Sequence, residues 1–303
     1  LQRTGTILGL SNSTVSHHLS RLENAVGTEL FDHKRRPLVL TTAGQILLGR
    51  VEEAINALRL GLTEVISEDI GVLLRVLRIS LIEDFDPEVT PQLAQQLLHD
   101  LPSCRLSFRS AASHEVLGQL QSDEADIGVA SIDDTATDGL NQRPLLRDPF
   151  VIVAPLDSGH TANDLLAGHT GLPFVRYSRK QIIGRRVDAQ LRRLRRDIPR
   201  RIELESTAAA LSLVAKGQAW TITTALNCAS MEQVLGHLKV MPMPDGAFSR
   251  QLSLIGREDL PQSLFDLVET QLRQLIDSSM IKPMIQLEPK LQDEFRLIRQ
   301  DAT

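Results

Sequence analysis

The residues best suited to chemistry near the start of the chain are short polar and cationic side chains in one helix-like segment. Between Ser11 and Gly27 they supply hydroxyl, amide, imidazole and guanidinium groups, which suit contacts with base edges and phosphates. An ordinary amphipathic surface helix would show the same pattern, so this segment alone leaves two interpretations open. The candidate DNA contacts here are Asn12, Ser13, Thr14, Ser16, His17, His18 and Arg21.

A run of cations follows this segment. Lys34, Arg35 and Arg36 are consecutive and stand between the apolar residues 30–31 and 38–40, a pattern typical of a hairpin with a basic tip. Such a tip would position phosphates without reading the base sequence. A solvated charged turn is the alternative, but a basic hairpin next to a polar helix face favours a DNA contact.

A second set of polar side chains stands at the ends of predicted strands in the rest of the chain. Small molecules bind outside the carboxyl ends of strands in α/β folds, so these residues are candidate ligand contacts. Asp84 favours an amine, whereas Arg176 and the helix start at 206–207 favour an anion, so a small zwitterion would satisfy both. For each residue, a capping or surface role is the alternative. The candidates are Glu83, Asp84, Ser131, Arg176, Tyr177, Ser178, Ser206, Thr207 and Thr223.

Hydrophobic spacing predicts the two helices that position the first set. Ser11 can cap a helix that ends at Gly27, and its apolar stripe consists of Val15, Leu19, Leu22 and Val26. Thr42 followed by Gln45 has the form of a capping box for a second helix that extends to about Asp69. At about 37 Å this helix needs a partner for its apolar stripe. Packing on its own domain is the alternative to dimerisation.

Strand-like and helix-like segments alternate from Leu77 onwards, which predicts a parallel α/β sheet. Two such α/β halves, joined where the chain crosses from one to the other, would form a cleft at their junction. The predicted strands are residues 77–82, 105–109, 125–130, 150–154, 172–176, 201–204, 220–223 and 252–255. The main predicted helices are residues 89–98, 183–196, 208–216 and 264–276, and an amphipathic tail begins at 283.

Composition narrows the class of protein. The chain has 303 residues, of which 42% are hydrophobic and 23% charged, as expected for a soluble protein of two or three domains. The net charge is −5, yet residues 1–50 hold six cations against three carboxylates, which leaves −8 for the remainder. The two cysteines, Cys104 and Cys228, lack metal-ligand spacing and suit buried thiols better than a redox pair. Without a signal peptide or a long apolar run, we expect a cytoplasmic protein with no membrane contact.

Enzymatic motifs are missing from the sequence. There is no GxSxG, no P-loop, no GxGxxG after a strand and no HExxH, so we expect no enzyme, no cofactor and no metal site. The residues Arg185-Arg186, Arg192-Arg193 and Arg195-Arg196 have the composition of a nucleic-acid patch. We interpret them as an exposed helix face with Asp188 and Asp197 nearby.

Residues 8–44 together closely resemble the winged helix-turn-helix of the LysR-type transcriptional regulators. The matching residues are Leu10-Ser11, Thr14-Val15-Ser16, Arg21-Leu22-Glu23, Gly27, Leu30-Phe31, Arg36, Leu40-Thr41 and Ala43-Gly44. The remainder resembles the effector-binding domain of the same family more loosely, through Leu77-Arg78-Ile79, Ala125-Asp126-Ile127-Gly128 and the helix end at 214–217.

The resemblance departs from the family pattern at the front. Residues 5–7 run directly into Leu8, which leaves no room for a full second helix, and we expect missing residues rather than a true deletion. His33 stands where the family usually has arginine, and His17-His18 replace a more typical Arg-Gln pair. These differences bear on which operator is read.

The resemblance implies an α/β protein in three parts. These are a winged helix-turn-helix at 1–42, incomplete at its N-terminus, a linker and dimerisation helix at 43–70, and a two-lobed periplasmic-binding-protein-like effector domain at 75–303. Lobe 1 would cover about 75–146 and 252–280, and lobe 2 about 147–251. The implied function is sequence-specific transcriptional regulation in a bacterium, in response to a small polar metabolite bound between the lobes.

The implied partners are double-stranded operator DNA, a small-molecule effector and further copies of the chain, as a dimer and a tetramer. RNA polymerase is kept open as a further partner. The alternative function is a solute-binding module without DNA-binding activity, and an α/β enzyme comes third.

Overall fold

The computed structural model describes residues 10–33, 35, 38–66, 76–131, 139–168, 170–199, 201–244 and 248–299. The chain divides into two compact units, Leu1–Val65 and Ile66–Thr303. The N-terminal unit contains α1 (Asn12–Val26), β1 (Phe31–Asp32), β2 (Val39–Leu40) and most of α2 (Thr42–Ile66).

Helix α1 begins and ends at the predicted residues. The side chain of Ser11 accepts a hydrogen bond of 3.1 Å from the amide of Thr14, which satisfies one of the free amides of the first turn. Gly27 has φ +75° and its amide donates to the carbonyl of Glu23. Glycine adopts this left-handed conformation without the steric cost of a Cβ atom, so the helix stops there.

The start of α2 differs by one residue from the predicted capping box. Thr41, rather than Thr42, caps the helix, because its Oγ1 accepts a 3.0 Å hydrogen bond from the amide of Gly44. The same hydroxyl donates to the carbonyl of Glu29, and the Thr41 amide donates to that of Leu30. A Cβ atom on Gly44 would lie 2.0 Å from the carbonyl oxygen of Leu30, so this close approach requires glycine.

The second unit is a two-part α/β structure built on one continuous sheet. Its strands are β3 (Val76–Ile82), β4 (Arg105–Ala111), β5 (Ile127–Ala130), β6 (Leu140–Pro155), β7 (Phe174–Tyr177), β8 (Ile202–Leu204), β9 (Trp220–Thr224), β10 (Leu238–Pro242), β11 (Ser249–Arg257) and β12 (Arg296–Leu297). Its helices are α3 (Val89–Asp100), α4 (Ser113–Gln121), α5 (Ala162–Ala167), α6 (Ile182–Arg193), α7 (Thr207–Ala215), α8 (Ala225–Ala229), α9 (Glu232–Leu235), α10 (Gln262–Ile276) and α11 (Lys282–Leu287).

Two long strands join the two parts of the sheet, whose main order is β4-β3-β5-β11-β6-β9-β7-β8. The strands β4, β3 and β5 are parallel to one another, as are β8, β7 and β9. Strand β6 pairs with β11 in its first part and with β9 and β10 from residue 150 onwards. Because β6 and β11 are antiparallel, the chain crosses from one part to the other and returns.

Each part buries its own apolar cluster. In the second part Phe174 and Trp220 pack with ring centroids 4.5 Å apart, beneath Phe150 and Ile152 of the crossing strand. Burial of each such side chain contributes about 1.5–3 kcal/mol. The alternation of strands and helices predicted from Leu77 onwards is therefore present, with apolar strand residues as the core.

Several predicted elements have shorter bounds than expected, among them the strands predicted at 172–176 and 201–204, which are Phe174–Tyr177 and Ile202–Leu204. The strand expected from residue 125 begins at Ile127, because the carboxylate of Asp126 accepts hydrogen bonds from the amide and side chain of Arg78. The helix expected to reach 196 ends at Arg193, and Arg195 follows with φ +55°.

The C-terminal segment packs on the sheet of the second unit. After α10 the chain continues through a π-helical turn, Asp277–Ile281, and α11 to β12, which pairs with β6. Leu291 and Phe295 are fully buried, which accounts for the amphipathic pattern after residue 283. Among the residues that the structure describes, no helix is long and apolar enough to cross a membrane.

Candidate functional site

The predicted DNA-contacting residues lie along an accessible helix. All seven candidates on α1 are exposed except Thr14, which is half-buried. The side chain of Arg35 is 71% exposed and its Nε lies 3.2 Å from Asp32 Oδ2. Lys34 and Arg36 lie outside the described residues. The helix presents these polar side chains to solvent together with Leu22 and Val26 of its apolar stripe, each of which is 45% exposed.

A carboxylate to which the sequence assigned no structural role, that of Glu23, holds the hairpin against α1. Glu23 Oε1 accepts hydrogen bonds from the amides of Leu30 (2.8 Å) and Phe31 (3.1 Å), and Oε2 lies 2.9 Å from His33 Nε2. Burial acts to raise the pKa of Glu23, but the Leu30 amide, His33 and the Phe31 amide lower it overall. Glu23 stands three residues before the helix end, facing the turn, which is the signal that could have identified it.

The apolar stripe predicted for α2 is largely uncovered within the described chain. Of the predicted stripe residues, Ile46 is 65% exposed and Leu58 is 71% exposed, and Val51 and Ile55 are exposed as well. Leu48, which was not part of the predicted stripe, is also exposed. Large apolar side chains in a row on one helix are typical of an association surface.

A cleft of about 130 Å³ lies in the second unit, at the ends of its strands. Residues 82–84 span the end of β3, residues 111–114 join β4 to α4, and residues 181–183 are at the start of α6. Four further residues complete the lining: Glu205, Thr207, Asn227 and Arg250. Both parts of the α/β structure therefore contribute to the cleft.

An arginine whose side chain is 11% exposed lies between two carboxylates at the floor of this cleft. Arg250 Nη2 lies 2.6 Å from Asp84 Oδ2, and its Nε lies 2.7 Å from Asp148 Oδ2. Burial lowers the pKa of Arg250, but the two carboxylates reverse this and raise it. For the fully enclosed Asp148, burial raises the pKa, and the charge of Arg250 opposes that shift without reversing it. The three side chains form a charged triad that joins strand β3 to both crossing strands.

Helix α8 and its N-terminal residue extend the triad towards the second part. The amide of Leu226 donates to Asp148 Oδ1 over 2.9 Å, and Thr224 Oγ1 accepts a 3.3 Å bond from Arg250. With its amide nitrogen towards Asp84, Asn227 donates to both carboxylate oxygens and accepts from Thr223. Asp84 is thus held by groups from two distant segments of the chain.

The predicted ligand residues fall into three groups. Glu83, Asp84 and Thr207 line the cleft. Tyr177 and Thr223 lie behind Asn227, with 3.0 Å between their hydroxyl oxygens, and burial raises the pKa of Tyr177 to about 12. The other four do not line it, and they are Ser131, Arg176, Ser178 and Ser206.

Each residue of the third group has a structural environment of its own. Arg176 is paired with Asp188 and donates to the carbonyl of Ile198 in the interior. Ser206 caps α7, and Ser178 accepts a long bond from the Lys180 amide. The amide of Ser131 donates to Ser113, while its buried hydroxyl has no hydrogen-bond partner among the described residues.

Three residues of the cleft floor are not among the predicted ligand contacts. Arg250, Asp148 and Asn227 are far apart in the chain, and no local motif connects them. Asp148 follows Arg147, and Arg250 stands between Ser249 and Gln251, so neither is marked as a lone charge in an apolar strand.

The two cysteines are buried and unbonded. Burial and the nearby Asp126 raise the pKa of Cys104 to about 11, and burial with Asp148 raises that of Cys228. The thiolate is the reactive form, so neither thiol is activated as a nucleophile at neutral pH.

Comparison with protein-family models identifies both units. Residues 1–45 match the bacterial regulatory helix-turn-helix protein of the lysR family, and residues 71–277 match the LysR substrate binding domain. The chain belongs to the LysR family. It is a DNA-binding transcriptional regulator with an effector-binding domain, as the resemblance implied, and the family is one of regulators rather than enzymes. The solute-binding alternative is not supported.

Known relatives agree with this assignment. A probable hydrogen peroxide-inducible genes activator of Mycobacterium leprae is 26% identical over 242 residues, which cover 80% of this chain and 72% of the relative. An uncharacterized regulator of Shigella flexneri is 28% identical, but the match spans only 54% of this chain and 52% of that protein.

Solved structures share the fold. An OxyR mutant of Corynebacterium glutamicum gives a TM-score of 0.66 at 16% identity and covers 99% of this chain and 92% of its own. A probable transcriptional regulator of Pseudomonas aeruginosa gives 0.60 at 21% identity, with 90% and 92% covered. The predicted fold class, a helix-turn-helix with a two-lobed effector domain, is confirmed.

Proposed function

We propose that this regulator responds to a small polar molecule that carries an ammonium group and binds in the cleft. Three carboxylates line the cleft, from Glu83, Asp84 and Glu205. The guanidinium of Arg250 lies among them, but it contacts Asp84 and Asp148, so its charge is already matched. This excess of negative charge is the observation that carries the proposal, because it favours a cationic group.

Two helix starts support a carboxylate on the same molecule. Ser113 and Thr207 are the first residues of α4 and α7, and both line the cleft. Free amides in the first turn of a helix favour an anion. Arg176 is occupied by Asp188, so these helix starts take the role expected of it. A zwitterion of amino-acid size therefore fits both ends of the cleft.

We further propose that α1 and the basic hairpin read operator DNA and that α2 pairs two chains. The exposed polar residues of α1 support the first proposal, and the uncovered apolar stripe of α2 supports the second. Association of the second units would then join two dimers into a tetramer.

A thermal-shift screen of amino acids, amines and organic acids tests the effector proposal. Zwitterionic compounds are expected to raise the melting temperature of the wild-type chain more than acids or amines do. Glu205→Gln should weaken the response because it removes one of the three cleft carboxylates. Glu203→Gln is the matched control, since this exposed residue of β8 lies outside the cleft.

The same compound must then alter DNA binding. A ligand shifts the regulator only by its difference in affinity for two arrangements, typically about 1–3 kcal/mol. Anisotropy of a labelled duplex from the region upstream of the coding sequence, with and without the compound, measures this coupling. Stabilisation that survives both Glu205→Gln and Thr207→Val would place the binding site outside the cleft.

A further inference from the structure

A strongly basic surface is concentrated on and around helix α6. Residues 179–197 contain eight lysines and arginines and two aspartates, a net charge of +6 in a chain whose total is −5. Six of these arginines are exposed, and one of them, Arg179, pairs with Asp188. We call the other five the arginine face: Arg185, Arg192, Arg193, Arg195 and Arg196. The rest of the chain therefore carries −11, so this face is a local exception on an acidic molecule.

The acidic residues nearby do not neutralise the arginine face. Asp188 is 7% exposed and its carboxylate is used by Arg176 and Arg179. Within residues 179–197, all of which the structure describes, Asp197 is the one exposed carboxylate. In the described part of the chain Arg192, Arg195 and Arg196 have no ion pair.

Helix stability accounts for only part of this arrangement. Cations in the last turn, such as Arg192 and Arg193, interact favourably with the helix dipole. Arg185 lies near the opposite end, where the dipole disfavours a cation. Arg195 has φ +55°, a conformation that glycine adopts more easily, yet an arginine stands there. The common property of these residues is exposed positive charge.

We propose that the arginine face binds the phosphate backbone of DNA as a contact independent of base sequence. Helix α6 has 12 residues, so it is about 18 Å long. Three arginines of the face lie on this helix, and Arg195 and Arg196 follow its C-terminal end. Duplex DNA carries one negative charge per ~1.7 Å of axis, a density that suits several neighbouring guanidinium groups. The inference rests on the DNA-binding function of the chain, and it adds a contact outside the helix-turn-helix.

Salt dependence of DNA binding by the full chain tests this contact. The probe is a 60-base-pair duplex of mixed sequence, titrated by anisotropy across a series of NaCl concentrations. Each lost phosphate contact reduces the slope of log affinity against log salt by about 0.9. We therefore expect Arg192→Gln/Arg196→Gln to reduce the slope by about 1.8. The matched control is Arg109→Gln/Lys290→Gln, which removes two exposed cations of the same unit outside the face.

A helix-turn-helix variant, Arg21→Gln/Arg35→Gln, separates the two possible failures. If it lowers the slope while Arg192→Gln/Arg196→Gln does not, the arginine face does not bind DNA, although the DNA-binding function stands. An equal decrease in the Arg109→Gln/Lys290→Gln control would show a general charge effect and overturn the proposal. If the wild-type chain does not bind the duplex at low salt, both the inference and the DNA-binding function fail.

Discussion

The hairpin anchor in the N-terminal unit and the cleft floor in the second unit are both organised by carboxylates, but in opposite ways. Glu23 receives two backbone amides and His33 from within ten residues along the chain, at a partly exposed position. Asp148 meets Arg250 from 102 residues away, in a fully buried position, and Asp84 does so from 166 residues away. Local contacts fix a turn, whereas distant contacts join the parts of a domain.

Burial makes the second arrangement the more demanding. A buried charge is costly unless it is paired, so removal of one partner leaves an uncompensated charge. Glu23, whose side chain is 11% exposed, can regain water when its partner is lost, whereas Asp148 is completely buried. We therefore expect the cleft floor to be far more sensitive to substitution than the hairpin anchor.

The largest effect is expected for Arg250→Met. It leaves Asp84 and Asp148 without their shared cation and should destabilise the second unit by about 3–5 kcal/mol. Urea unfolding followed by Trp220 fluorescence reports on this unit, because Trp220 is buried in its core and is the one tryptophan of the chain. Arg109→Met, at an exposed pair with Glu124, is the control and should cost less than about 1 kcal/mol. Equal losses of unfolding free energy in the two variants would show that the buried triad is no more sensitive than an exposed ion pair.

A smaller effect is expected at the uncovered stripe of α2. Leu58→Asp places a charge where we expect a second chain to pack, and the apolar burial lost is about 1.5–3 kcal/mol per side chain. Light scattering should show the wild type well above the 33.6 kDa of one chain and the variant shifted towards it. Gln45→Glu, an exposed polar position on the same helix, should leave the mass unchanged. A wild-type chain that stays monomeric at micromolar concentration would refute the pairing.

The contrast between the two carboxylate centres also explains what the sequence could predict. The bounds of α1, with its Ser11 cap and Gly27 end, follow from neighbours within a few residues. Glu83, Asp84 and Thr207 could be placed at the cleft because strand ends and helix starts meet there in α/β folds. The spacing of residues along the chain could not reveal that Arg250 pairs with Asp84 and Asp148 at the cleft floor, because these residues are far apart in the sequence.

Arg176 was predicted to line the cleft, and the structure places it elsewhere. A guanidinium at a strand end suggested an anion contact, but α6 brings Asp188 beneath it, and the pair is buried together. Which strand-end residue faces the cleft depends on the helix packed behind it, and that is a property of tertiary structure.

A modest and pH-dependent effect is expected for Glu23→Gln. The hydrogen bonds to Glu23 lower its pKa below the ordinary value of 4.5, so the folded state favours the ionised form. The stability that these hydrogen bonds contribute is fully present above about pH 4.5. It is lost as the pH falls through the lower pKa that Glu23 has in the folded state. The wild-type N-terminal unit should therefore lose stability in acid more steeply than the variant. Hydrogen exchange of the Leu30 and Phe31 amides between pH 3 and 6 measures this, and parallel pH profiles would count against it.

The smallest effect is expected from peroxide, although a relative of this chain is named as a hydrogen peroxide-inducible genes activator. Cys228 lies on the helix that supplies Leu226 and Asn227 to the cleft floor, so the burial that strengthens the triad also keeps this thiol protonated. For Cys104, a pKa of about 11 leaves about 10⁻⁴ of the thiol ionised at pH 7.

Labelling with a thiol reagent tests this expectation directly. Both cysteines should react at least about a hundredfold more slowly in the native chain than in urea, because they are buried and protonated. Equimolar peroxide should leave DNA affinity unchanged in the wild type and in Cys228→Ser alike. A peroxide-dependent change in DNA affinity that Cys228→Ser abolishes would show that the buried floor opens to admit oxidant. Such opening would weaken the contrast with the partly exposed hairpin anchor, because Asp148 could then no longer be treated as closed to water.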